Sequence, residues 1–98
     1  MVTHLANENL KEMNKQQEML VITMEECAEL SQACSKLIRF EDERTQEDIA
    51  NLQDEAGDLI CMLEILKENK LLTDDKIQER VQVKRNKLKK WSNLFNED

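Results

Sequence analysis

Apolar residues recur along this chain at intervals of three and four, the period of an amphipathic helix. From about Leu5 to Lys15 the pattern is weak, with Leu5, Leu10 and Met13 as its apolar positions. From about Gln17 to Arg39 it is continuous: Leu20, Met24, Cys27, Leu30 or Ser31, Cys34 and Leu37 or Ile38 trace one stripe. Phe40 to Arg44 is a polar break. Thr45 then has the chemistry of an N-cap, with Asp48 three residues on as a capping-box-like partner. The helix it opens is expected to run to about Asn69, on a stripe of Ile49, Leu52, Ala56, Leu59, Leu63 and Leu66. Thr73 before Asp74 and Asp75 is a further start signal, because acids favour the positive end of a helix. That last helix should reach about Trp91, with Ile77, Val81, Lys84 and Leu88 at helical spacing.

Composition supports the same picture. There is no proline, one glycine, and only 3% aromatic residues, so the turn and strand formers of a β-protein are missing. The expected fold class is all-α: an antiparallel bundle of about four helices, or two long helices with shorter flanks, forming a single domain over residues 1–98. A chain this short buries a modest core, which makes association into homo-oligomers a natural source of further burial.

Charge and cysteine usage narrow the partners. The net charge is −7, which argues against a nucleic-acid polymer, although seven of the fourteen basic residues lie between Lys76 and Lys90. The three cysteines, Cys27, Cys34 and Cys61, match no zinc spacing and are read as buried thiols in a reducing, cytoplasmic setting. No apolar run approaches a membrane span, and the first residues have no signal-peptide pattern.

Two acidic clusters interrupt the apolar stretches. Glu26 and Glu29 form one i, i+3 pair, and Glu55 and Asp58 form another. The line Ile22, Glu26, Glu29, Ala33 runs along one helical face with acids at its centre. So does the line Leu52 or Asn51, Glu55, Asp58 or Leu59, Met62, Ile65. If these lines face each other, four carboxylates meet inside the bundle and need a positive partner. Oxygen-only ligands point to Mg²⁺ or Mn²⁺, and a di-iron site would want Glu-x-x-His motifs that the chain lacks. The bland alternative is acids at the edge of a stripe, balanced by lysine and arginine in water. Gly57, between Glu55 and Asp58, reads either as close helix packing or as room for a ligand.

Glu25-Glu26-x-x-Glu29-Leu30 followed by Glu55-x-x-Asp58-Leu59 resembles the signature of the all-α nucleoside triphosphate pyrophosphohydrolases. That superfamily includes MazG, the dimeric dUTPases, the dCTP pyrophosphatases and phosphoribosyl-ATP pyrophosphatase. The likeness is greatest to its small single-domain MazG-like members and spans about Met19 to Lys90. The resemblance implies a MazG-like helical bundle that converts a nucleoside triphosphate to the monophosphate and pyrophosphate with Mg²⁺. It implies Glu26, Glu29, Glu55 and Asp58 as metal ligands, with Glu25 as the extra acid of the catalytic motif. It further implies homodimers or homotetramers whose sites form between subunits.

The residues suit that chemistry. A triphosphate is repelled by bare carboxylates, and a divalent cation reverses the sign. No serine, cysteine or histidine is placed as a nucleophile, so attack by a metal-activated water is the simpler route. Lys36, Lys84, Arg85 and Lys87 are candidates to hold phosphates. Phe40 and Trp91 could stack on a base, and Asn51 lies one turn before Glu55. Phosphoribosyl-ATP pyrophosphatase-like activity is the alternative substrate reading. A non-catalytic helical interaction or regulatory module is the alternative of a different class.

Overall fold

The computed structural model describes residues 13–39 and 45–96. Among them are three helices and no strand: α1, Lys15–Arg39; α2, Gln46–Glu68; and α3, Asp74–Trp91. The expected helix from Leu5 falls almost wholly outside the described residues, and the polar break from Phe40 to Arg44 wholly so. The expected fourth helix is therefore not among these elements.

Each start is fixed by a local hydrogen-bond trap. Thr45 and Asp48 form the expected reciprocal box, Thr45 N–H donating to Asp48 Oδ2 (3.1 Å) and Asp48 N–H to Thr45 Oγ1 (3.2 Å). Thr73 is extended (φ −124°, ψ 147°) and its hydroxyl accepts from Lys76 N–H, as its position before two aspartates predicts. The start of α1 differs from the sequence reading by two residues. Asn14 and Gln17 build the same reciprocal box, with Gln17 N–H donating to Asn14 Oδ1 (2.8 Å) and Asn14 N–H to Gln17 Oε1 (3.1 Å). The helix therefore opens at Lys15. Beyond the end of α2, Lys70 takes a left-handed conformation (φ 67°), the turn that glycine more often supplies, and its N–H donates to Lys67 O (3.0 Å). Ser92 closes α3 by donating both its N–H (2.9 Å) and its hydroxyl (2.7 Å) to Leu88 O.

The chain divides into two compact units, one ending at Leu66 and one beginning at Lys67. The first is an antiparallel pairing of α1 and α2. Lys36 near the end of α1 meets Asp48 at the start of α2 (3.4 Å). Glu26, ten residues earlier on α1, meets Asp58, ten residues later on α2. The two helices thus run past each other in a constant register. The buried apolar residues of this unit are Met19 and Ala33 on α1, and Met62 and Leu66 on α2. On α1 they stand before and after the acids, and on α2 both follow them. Among the described residues, no large side chain is fully buried.

The face that turns inward corrects the apolar-stripe reading of α1. The inward line is Met19, Ile22, Glu26, Glu29 and Ala33, whereas Leu20, Met24 and Ile38 of the expected stripe are exposed. Cys27 and Cys34 lie on that outward stripe and are exposed, as is Cys61, so the three thiols are not core residues. On α2 the stripe is split: Leu66 is buried and Leu52, Ala56 and Leu59 are half-buried, but Ile49 and Leu63 are exposed. The cause is the antiparallel register, which directs the acid-bearing lines at each other and turns the other apolar positions out.

The second unit contains α3, on which no residue is buried. Ile77 and Val81 are exposed along with Trp91, Leu94 and Phe95. Its Lys67–Asp74 ion pair (2.8 Å) is exposed at both ends and contributes little.

Gly57 is exposed, and a Cβ built on it meets nothing within 4 Å. Among the described residues, neither close packing nor a backbone conformation special to glycine explains it. Gly57→Ala should therefore stabilise the isolated chain by about 0.5–1 kcal/mol, through better helix propensity and a less disordered unfolded state. Urea unfolding checks this. A loss of stability would mean that something outside the described residues packs against that position.

Candidate metal and anion site

The site forms where the two acid-bearing lines cross at the middle of the α1–α2 pair. Glu26 from α1 and Glu55 and Asp58 from α2 each bring a carboxylate oxygen within 4.8 Å of the others. Glu29 joins them: its charge acts on both Glu26 and Glu55. The i, i+3 spacing on each helix and the antiparallel register together place all four predicted carboxylates at one locus. Asp58 is the most exposed of the three that converge; Glu26 and Glu55 are half-buried.

The electrostatics of the cluster are those of like charges held together. Desolvation pushes the Glu26 carboxyl above its ordinary value of 4.5, and the neighbouring charges of Asp58, Glu55, Glu29 and Glu25 push it further the same way. Glu55 is raised for the same reasons, desolvation first, then Glu29, Asp58 and Asp54. Glu25 stands one residue before the cluster and is buried, 7% exposed. Its Oε2 has no hydrogen-bond partner among the described residues. Carboxylates with this much mutual repulsion and this few donors form a set of oxygen ligands suited to a hard divalent cation.

Next to the acids lies a cavity of about 500 Å³, lined by Glu29, Glu55, Asn51, Lys36 and Arg39 among others. It is acidic at one end and basic at the other. Lys36 and Asn51, both expected near the site, are thus brought to it. Arg39, together with Gln32 and Ser35 on the same cavity wall, was not singled out from sequence. The available signal was its spacing of three from Lys36, which continues the line from Glu29. Lys36 is not idle: its ammonium pairs with Asp48, whose carboxyl is held below its ordinary value by the Thr45 N–H and by Lys36.

The remaining expected residues lie in the second unit. Lys84 and Arg85 line a shallow groove of about 590 Å³ along α3, with Val81, Leu88, Leu94 and Phe95. Lys87 and Trp91 line a smaller one, of about 350 Å³, with Val83 and Lys90. Compared with protein-family models, with curated proteins and with solved structures, the chain matches none.

The raised carboxyls set a pH dependence whose sign is fixed. A group whose folded pKa lies above its unfolded one binds more protons when folded, so stability falls as pH rises through that interval. Glu26 and Glu55 should therefore make the metal-free protein more stable as pH drops from 7 towards 4.5. Asp48 acts in the opposite sense but only below 3.8, outside that window. Urea midpoints across the range test this, and Glu55→Gln should flatten the slope. A midpoint that falls on acidification in that window would contradict a desolvated, self-repelling cluster.

A second outcome concerns metal. Millimolar Mg²⁺ or Mn²⁺ at pH 7 should raise the melting temperature of the parent and raise that of Glu55→Gln or Asp58→Asn much less, because a ligand of the native state alone stabilises it. The metal-free variants should be at least as stable as the metal-free parent. An equal metal response in parent and variants would place ion binding elsewhere.

Proposed function

We propose that this protein is a Mg²⁺-dependent nucleotide pyrophosphohydrolase of the MazG-like kind, converting a nucleoside or deoxynucleoside triphosphate to the monophosphate and pyrophosphate. The observation that carries the reading is the convergence of Glu26, Glu55 and Asp58 within 4.8 Å, beside a cavity whose far wall is cationic. The acid motif's resemblance to that superfamily supports it independently, since the residues of the motif are the ones that converge.

Glu26, Glu29, Glu55 and Asp58 would hold the metal. Bound there, a divalent ion supplies charge neutralisation for the phosphates and a lowered pKa for a water molecule. The protein's own part is orientation and charge balance. The carboxylates fix one end of the triphosphate's path, and Lys36 and Arg39 offer donors for phosphate oxygens at the other. Asn51 adds an amide that can donate or accept on the same wall. Attack of water on the α-phosphorus and departure of pyrophosphate requires no covalent intermediate on the chain. Glu25 is a positioning residue in this scheme: buried beside Glu26, its charge helps hold the Glu26 carboxyl above its ordinary value.

Pyrophosphate release measured across the common nucleotides should be positive for at least one, abolished by EDTA, and reduced at least a hundredfold by Glu26→Gln or Asp58→Asn with helicity unchanged. Orthophosphate as the first product, or activity undiminished in EDTA, would overturn the reaction. Metal binding by calorimetry without turnover on any nucleotide or on phosphoribosyl-ATP would favour a regulatory module that uses the same acids.

A further inference from the structure

Helix α3 turns from acidic to basic along its length. From Arg80 to Trp91 it carries six bases, Arg80, Lys84, Arg85, Lys87, Lys89 and Lys90, and no acid. Among the described residues the ion pair within α3 is Lys76–Glu79 (3.6 Å), and no carboxylate pairs with any of the six. Three of them, Arg80, Lys84 and Arg85, line the groove of about 590 Å³. Ile77, Val81 and Leu88 line it from α3, and Leu94 and Phe95 from the turn that follows. That turn is built rather than frayed: Leu94 N–H donates to Ser92 Oγ (3.2 Å), and Asn96 N–H to Asn93 O (3.2 Å). It holds Leu94 71% exposed and Phe95 44% exposed. At about 100° per residue Ile77, Val81, Lys84 and Leu88 fall within about 60° of one another, with Arg80 to one side and Arg85 to the other. A lysine therefore stands in the middle of the apolar line, and an arginine at each edge.

We propose that this groove seats an amphipathic helix of a partner protein, one whose apolar stripe is interrupted and edged by acids. Charge complementarity selects that occupant. The three lining cations call for carboxylates at the centre and at both edges, and the five apolar side chains call for apolar anchors between them. From Ile77 to Leu88 the line runs about 17 Å, or about three turns, a length over which helix-in-groove recognition places its anchors. Each guanidinium can take both oxygens of a carboxylate at once. Arginines beside apolar side chains in one concave patch are also the usual makings of an interface hot spot. Two other occupants fit worse. A bilayer would have to take Lys84 at the centre of the buried face with no counter-charge. Two-fold pairing with a second copy would set the same cations against each other. The inference concerns the second unit alone and does not rest on the catalytic reading.

The experiment uses the full chain and a synthetic helical peptide of about five turns. The peptide carries leucines along one face, a glutamate between them and glutamates along both edges. Calorimetry should show saturable binding that weakens as salt rises. Lys84→Glu, and separately Val81→Glu, should each weaken it about tenfold or more with helicity unchanged, because both side chains are exposed. A peptide of the same composition with its stripe scrambled should bind no better to the parent than the first peptide binds to the variants. Equal binding of the two peptides would reduce the groove to a patch of charge and overturn the proposal. Phosphatidylserine vesicles that bind the chain more tightly than the peptide does would overturn it too, as would self-association of the parent that Lys84→Glu abolishes, since either gives the groove another occupant. Failure of the peptide to bind at all overturns it outright.

Discussion

Mutual repulsion among carboxylates at the centre of the α1–α2 pair is the constraint around which the first unit is arranged. Glu26, Glu55 and Asp58 converge with Glu29 close by, and their approach opposes the contact that brings them together. What resists it lies to either side. Met19, Met62 and Leu66 are buried on one flank, and Ala33 with the Lys36–Asp48 pair lies on the other. Four buried apolar residues are few for a helix pair, so among the described residues little packing offsets that repulsion.

The inversion of α1 follows from the same constraint. An ordinary surface helix turns its apolar stripe inward and its charges to water. Here the acids are committed to the inter-helical face, so the apolar residues are left outside. Helix α3 presents a related case in the second unit: it buries nothing, although Ile77, Val81 and Leu88 are at helical spacing. Both helices carry more apolar surface than their own unit covers.

Much of this was legible in the sequence, and the failures have physical causes. Thr45 with Asp48, and Thr73 before two aspartates, are local signals whose hydrogen bonds close within four residues, and both caps formed. The Asn14–Gln17 box is equally local, but the weak apolar period from Leu5 to Lys15 runs across it and masks its capping chemistry. Periodicity showed that α1 has two distinct faces without saying which one meets α2. That choice depends on a register between segments about thirty residues apart. The acid pairs carried that information, because two i, i+3 pairs in apolar stretches make sense together when they face each other. The cysteines are exposed for the same reason: burial is a property of the partner face, not of the thiol. Arg39 carries little signal in the sequence because a terminal helical arginine is usually solvated, and its place on the cavity wall follows only from Asn51 and Glu55 lining the same cavity.

The Lys36–Asp48 pair has a consequence for which molecules the cavity can hold. An anion that reaches Lys36 shares it with a carboxylate 3.4 Å away that already caps α2. Trading one ion pair for another is nearly neutral, so the lysine adds little to the binding of a weakly charged visitor. A multiply charged one gains more than Asp48 loses. The arrangement works as a threshold on charge density: a weakly charged anion leaves the lysine of α1 with the aspartate that caps α2.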